Sequence, residues 1–309
     1  MDCTKPIVEN TRGGQAVGLP LLFFGAKMNT KTIFGALALT VAVVGLVAPT
    51  SAKTDDALAD GVLSICADPY IYPSSAQGYP PGYDIEILEA IARIGGYRSD
   101  QFWVNSGTIG GLGRALRNSI AKGFCDVFIG VAVDDRQIDE LAEKDLVFTR
   151  PYMALAFVPI VQGQAAHAKT FEDLKGMTIG VSRTTPIDGY LLMHGYDREI
   201  YQGHDRVMEA MVRGEIDAAM VWSPSLGIAH RDFADAEFHP ILNYKPDPLF
   251  TWNMAMVVPG ADTKLKTLVD NGIRQLLDSG EIQAIVEKYG VPYFAPVDKP
   301  DPMKYRTPD

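Results

Sequence analysis

The sequence predicts two α/β lobes of similar build, and three observations carry that prediction. Residues 61–96 read as a strand, an elaborate loop and an amphipathic helix. The stretches LRNSIAKGFCDVFIGVAV (116–133) and VMEAMVRGEIDAAMVWSP (207–224) repeat one unit. Each has a helix ending in Lys or Arg then Gly, two further residues, an Asp and an apolar strand, and the copies lie about ninety residues apart. Two further apolar strands, 155–161 and 252–258, stand where the chain would cross between lobes. These crossings assign residues 53–157 plus 254–295 to lobe 1 and 158–253 to lobe 2.

Taken in order, the strand at 62–67 is a short apolar run, and the loop after it is dense in Pro, Tyr and Ser. In the helix that follows, Ile87, Leu88, Ile91 and Ile94 recur at helical spacing, and Gly95-Gly96 supplies a left-handed stop. In an open α/β sheet, ligands sit beyond the carboxyl ends of strands, so Asp68, Tyr70 and Tyr72 are expected to form a ligand wall. A strand at 101–105, a Gly-rich loop, a helix at 112–122 and a strand at 126–133 come next. Gly110, Gly111 and Gly113 meet neither the dinucleotide nor the P-loop spacing, and no Lys-Ser/Thr follows; a turn into a helix is expected, with no nucleotide site. Val131 and Arg136 would reach the cleft from the loop after this strand, Arg136 as an anion clamp.

In the second half a strand at 178–181 leads through Ser182 to Thr184, Thr185 and Pro186 and a short helix. An anion site at the helix start and an ordinary Thr cap with Pro in the first turn fit this pattern equally. Trp222 and Ser223 end the second repeat as a stacking and a polar contact. Helices at 265–279 and 281–288 follow the second crossing, and the Pro-rich tail, 296–309, is expected to lie extended on the surface.

The chain has 309 residues, 47% hydrophobic and 21% charged, which is enough apolar material for one large or two medium domains and excludes a disordered chain. Residues 28–52 have a basic start, an apolar run and small residues before Ala52, the three parts of a secretory signal; residues 1–27 then read as a mis-assigned start upstream of Met28. The apolar run is shorter than the roughly twenty residues a spanning helix needs. Removing 1–52 takes away four basic and two acidic residues and moves the net charge from −10 to −12. Such acidity disfavours nucleic acid and favours a basic protein partner. Cys66 and Cys125 remain, an even pair in an exported chain. A disulfide closing a loop of about sixty residues and two buried free thiols both fit.

The ordered set CADPY, PGYDIEILEAIARIGGY, CDVFIGVAV, Arg150-Pro151-Tyr152, GMTIGVSRTT, GEIDAAMVWSP and the ending from Trp252 to Gly290 resembles the periplasmic solute-binding proteins of the amino-acid-binding type, family 3. The resemblance covers residues 63–291 and implies the two-lobed type II binding-protein fold, a ligand between the lobes, no cofactor, no catalysis, and a monomer in the periplasm working with an ABC permease. In that family an Arg after the third strand clamps the ligand's α-carboxylate and an Asp after the later strand holds its α-amino group. Here Arg136 is one residue short of the first position and is followed by an insertion, 137–146, while Trp222 stands at the second. A buried ammonium needs a carboxylate to offset its desolvation, so the cleft is expected to hold a small polar or anionic ligand other than an ordinary α-amino acid. An indole there would stack on an apolar, aromatic or cationic group.

Ile65-Cys66-Ala67-Asp68-Pro69, Cys125-Asp126-Val127 to Gly130, Thr149-Arg150-Pro151-Tyr152 and Val221-Trp222-x-Pro224 also resemble the J-type accessory proteins of quinoprotein methanol dehydrogenases, which implies such a dehydrogenase as the alternative partner. A more remote resemblance, to cyclohexadienyl dehydratases, would need Asp68 or Asp188 as an acid; capping a turn or helix is the expected role of both. The five histidines fall in no ligand spacing, so surface or capping roles are expected and no metal site is.

Overall fold

The computed structural model describes residues 58–241 and 244–298; the expected signal segment, the start before it and the end of the tail lie outside the described residues. Strand β1 (Val62–Ala67) leads into a small hairpin, β2 (Tyr70–Ile71) and β3 (Ser75–Ala76), and then helix α1 (Tyr83–Gly95). Gly82, before α1, has φ 106°, and a Cβ there would run into the Ser74 carbonyl. Only glycine allows the loop to fold back this closely. The helix closes on Gly96 at φ 79°, whose N–H reaches the last turn.

Next come β4 (Arg98–Trp103), α2 (Gly111–Asn118), β5 (Val127–Ala132), α3 (Asp135–Ala142), β6 (Leu146–Phe148) and β7 (Met153–Val161). The second half contains β8 (Ile179–Ser182), α4 (Pro186–Met193), β9 (Arg198–Tyr201), α5 (His204–Val212), β10 (Ala218–Trp222), α6 (Pro224–Asp232) and β11 (His239–Pro240). Strand β12 (Thr251–Pro259) returns the chain to α7 (Thr263–Ser279) and α8 (Glu281–Lys288).

The strands run in the order β4-β1-β5-β12-β7-β10-β8-β9, with β6 on β12 and β11 on β7. β1, β4 and β5 are mutually parallel, as are β8, β9 and β10. Between these groups, β7 and β12 pair antiparallel with each other over Met153 to Ala156 and Thr251 to Met254. The inner strands of each group, β1 and β5, and β8 and β10, are mostly buried on both faces, as a parallel sheet with crossover helices requires, whereas the outer strands β4 and β9 are largely exposed. One face of the first is packed by Ile87, Ile91, Val269 and Ile273 from α1 and α7, the other by Leu116, Ile120 and Leu141. The second has Ile187 and Leu191 on one face and Val207 and Met211 on the other.

Two local expectations are corrected. The strand expected at 101–105 begins earlier, because Val62↔Arg98 pairing starts as soon as the chain leaves α1. The helix expected to run to 122 breaks at Asn118, where the Ser119 hydroxyl donates to the Ala115 carbonyl. The insertion at 137–146 is mostly helical: Asp134 caps α3 by accepting the Gln137 N–H. The first part of the tail does not merely lie on the surface. Asn253 exchanges two hydrogen bonds with the Val297 backbone, which fastens the start of the tail to β12, and just before the tail the Phe294 carbonyl accepts the Ala154 N–H of β7. Among the described residues no helix is long and apolar enough to cross a membrane.

Candidate functional site

Strand register decides where the loops meet. The C-terminal end of β5 lies against β12 at Ala132↔Met254, and that of β10 against β7 at Trp222↔Phe157. The next residues stay attached: Val133 N–H donates to the Asn253 carbonyl, and Ser223 N–H to that of Ala156. The loops that end strands in the two halves therefore converge on the paired stretch of the crossing strands, the place an open α/β fold reserves for a ligand.

The floor of this convergence is aromatic. The Trp222 ring lies 5.4 Å from Phe157 and 5.5 Å from Trp252, the two indoles meeting edge to face at 71°. Trp252 meets Phe157 at 6.2 Å. Both indoles are half-buried, so each keeps some surface open to a ligand. His204, the first residue of α5, lies 5.7 Å from Phe157, and its Nδ1 accepts the Trp222 N–H at 3.5 Å. Burial lowers its pKa, against the opposing charge of Asp205, which favours the neutral form that can accept this bond. His204 is thus part of the aromatic floor, which corrects the expectation that all five histidines are surface or capping residues.

The expected wall residues divide. Asp68 is buried, and its carboxylate accepts the Tyr70 N–H at 2.9 Å and both the N–H and hydroxyl of Ser106 at 2.6 Å. It fastens two loops together and is not a free clamp. Tyr70 is 76% exposed on the β2-β3 hairpin. Tyr72 turns inward onto Tyr289, and the Arg231 guanidinium, from α6, stacks on its ring at 4.3 Å. Beside it, Gly227 of α6 packs so closely on Pro73, the Tyr289 carbonyl and Val291 that a Cβ would not fit. The loop after β1 is therefore in contact with the second half of the chain.

Val131 is packed in the apolar core around the disulfide, and Ser223 is buried with its hydroxyl accepting the Ala156 N–H at 3.2 Å. Neither offers surface to a ligand, which corrects the expectation for both. Arg136 is exposed in the first turn of α3. At the start of α4 the Thr cap prevails: Thr185 accepts the Asp188 N–H at 3.3 Å and donates to the Ser182 carbonyl at 2.8 Å. Asp188 in turn accepts the Thr184 N–H and pairs with Arg198 at 2.6 Å, so a carboxylate of the chain itself occupies the positive helix end. Cys66 and Cys125 form a disulfide with their Cα atoms 5.6 Å apart. Among the described residues no group of three or more His, Cys, Asp or Glu is placed to hold a metal.

Two groups of parallel strands joined by a pair of crossing strands, with the strand ends facing one floor, define a two-lobed α/β binding protein. The chain belongs to the bacterial extracellular solute-binding proteins, family 3, whose sequence model matches residues 63–292. No curated protein matches it. Among solved structures it is similar to substrate-binding domain 2 of GlnP from Lactococcus lactis in its open conformation, at 22% identity over 74% of this chain and 95% of that one, with TM-score 0.61. It is also similar to the unliganded, open L-cystine solute receptor of Neisseria gonorrhoeae, at 14% identity over 76% and 95% of the two chains, with TM-score 0.62. The second substrate-binding domain of a putative amino acid ABC transporter from Streptococcus pneumoniae shows 23% identity over 74% and 100%, with TM-score 0.60.

Three contributors to the site escape sequence reasoning: Phe157, Trp252 and His204. Phe157 and Trp252 sit inside apolar runs that look like core, and only the β7-β12 and β7-β10 registers bring them onto Trp222.

Proposed function

We propose that this chain is an exported solute-binding protein for ABC-type uptake, acting in the periplasm as a monomer, and that its cleft selects a small solute carrying a flat or apolar group. The reading takes residues 53–157 plus 254–295 as one lobe and 158–253 as the other. The observation that carries the reading is the Trp222-Trp252-Phe157 floor at the point where strand ends from both lobes converge. Indole faces attract apolar and cationic groups, but a cation–π contact worth roughly 0.5–2 kcal/mol does not offset the desolvation of a buried primary ammonium, and the rings offer nothing to its carboxylate. Asp68 and Asp188 are both engaged within the chain, so neither supports an α-amino-acid clamp or a dehydratase acid. The uptake role rests on the family and on the amino acid transporter and solute receptor named above. Export agrees with the disulfide, a bond that persists in oxidising compartments.

The test is native mass spectrometry of the exported protein, followed by titration of any released molecule against indole fluorescence. A small molecule retained by the wild type and lost in Trp222→Ala supports the reading; retention unchanged in Trp222→Ala overturns it. A second reading, an accessory protein of a quinoprotein dehydrogenase, is favoured by one observation. Exposed Arg136 and the self-capped α4 leave the cleft without the family's charge clamps. Stoichiometric co-purification of such a dehydrogenase with both the wild type and Trp222→Ala, and no bound solute, would decide for it.

A further inference from the structure

Lobe 1 carries an apolar groove outside the aromatic floor, running from Val133 to the turn at Gly260 and Ala261. Helix α3, formed by the insertion that departs from the family pattern, lies beside β6, and the turn at Gly260 and Ala261 closes one end. The cavity between them measures about 660 Å³ and is lined by Val133, Ile138, Leu141, Val147 and Phe148. Ile138 is 48% exposed and Val147 36% exposed, so the groove opens to solvent on apolar side chains. β6 pairs with β12 at Val257 to Pro259, whereas the floor uses Thr251 to Met254. At roughly 3.3 Å per residue, Val257 lies about 16 Å along that strand from Trp252 of the floor.

The segment that forms one wall is predominantly acidic, and Asp145 lines the cavity itself. Between residues 134 and 145 stand Asp134, Asp135, Asp139, Glu140, Glu143 and Asp145 against only Arg136 and Lys144. Lys144 is already held by Glu140 at 3.1 Å. An open apolar patch ringed by charge is the usual mark of a protein-binding surface, and the charge selects the partner. We propose that this groove docks a basic amphipathic segment of a partner protein, its apolar side chains seated between Ile138 and Val147 and its Lys or Arg residues on the acidic rim. A second copy of the chain would bring a like-charged rim against this one. A small anionic solute would meet only repulsion. The proposal does not depend on what fills the cleft.

The probe is a fluorescent helical peptide with Leu on one face and Lys on the other, measured by anisotropy against the full chain at low and moderate salt. Two controls accompany it: the same design with Glu for Lys, and one with Ser for Leu. The Leu/Lys peptide should bind more tightly at low salt, and neither control should bind. Ile138→Ser with Val147→Thr should weaken binding about tenfold, and Asp139→Lys with Glu143→Lys should weaken it and remove the salt dependence. Thermal unfolding reports whether each variant is folded, and the two exposed pairs should leave it unchanged. The proposal is overturned if the Leu/Lys peptide fails to bind the folded wild type, if folded variants bind as wild type does, or if the Leu/Glu peptide binds equally. It is also overturned if sedimentation shows a dimer that Ile138→Ser dissociates, since the occupant would then be a second copy.

Discussion

The Tyr152 hydroxyl donates to the buried carboxylate of Asp84 at 2.5 Å. Ser74 donates to the other oxygen of the same group. Asp84 lies in the first turn of α1, Ser74 in the loop that carries Tyr72, and Tyr152 immediately before β7. One carboxylate therefore holds the loop after β1 against the start of the first crossing strand. Burial raises its pKa from 3.8 to about 6, and the two hydroxyl donors offset only part of the desolvation.

The sign of the resulting pH dependence follows. Folded Asp84 holds its proton more tightly than the unfolded chain does, so its stabilising contribution is complete below 3.8 and is lost as pH rises through about 6. The wild type should lose on the order of 3 kcal/mol from this group across that window. Asp84→Asn should lose none of it, because an amide stays neutral while accepting one hydroxyl and donating to the other. Urea unfolding across the window checks this; parallel slopes for wild type and variant would refute it.

Gly82→Ala should destabilise the protein by about 2 kcal/mol or more. The φ of 106° is costly for alanine, and the new methyl meets the Ser74 carbonyl. Gly82 N–H also donates to the Tyr289 hydroxyl, which in turn bonds Glu86, so a shift here disturbs the packing of the chain's end on α1. A denaturant midpoint indistinguishable from wild type would be the contrary result.

Reduction of the Cys66–Cys125 disulfide should cost about 4 kcal/mol on the loop-entropy account. The bridge lies on the face of the first sheet that also packs Leu116, Ile120 and Phe128, away from the Trp222 floor. Ligand response should therefore survive at temperatures where the reduced protein is still folded. Thiol labelling under denaturing conditions without reductant should leave Cys66 and Cys125 unmodified; labelling of both would contradict the bridge.

Ordinary α-amino acids should give no appreciable thermal stabilisation, because Trp222 cannot offset a buried ammonium. A solute bound at a hundred times its dissociation constant should add about 2.7 kcal/mol. A large shift with any standard amino acid would sink the proposed selectivity.

The elements themselves were legible in the sequence because their signals are local. The 3.6-residue spacing of Ile87, Leu88 and Ile91, the glycines that stop α1, and the repeated helix-Gly-strand unit each need only neighbouring residues to be read. Glu281 to Lys288 is helical as expected, and the expected crossings at 155–161 and 252–258 lie within β7 and β12. The candidate site was legible only in part. Trp222 packs on Phe157 and Trp252 and keeps its place in the proposed cleft, whereas Val131 and Ser223 go into the interior and the carboxylates of Asp68 and Asp188 are used within the chain.

The sequence by itself determined the main strands and helices, their alternation, and the absence of an Asp at position 222, whereas α3, α6 and the short strands β6 and β9 appear only in the structure. Only the tertiary structure decided that Phe157, Trp252 and His204 join Trp222, that Cys66 meets Cys125, and that Tyr152 reaches Asp84 across 68 residues. The reason is physical. Periodicity and capping are set by dihedral preference and by neighbours a few residues away, whereas a side chain's partners depend on tertiary placement, and for the strand residues Phe157, Trp222 and Trp252 a register shift of one residue would turn the side chain to the opposite face.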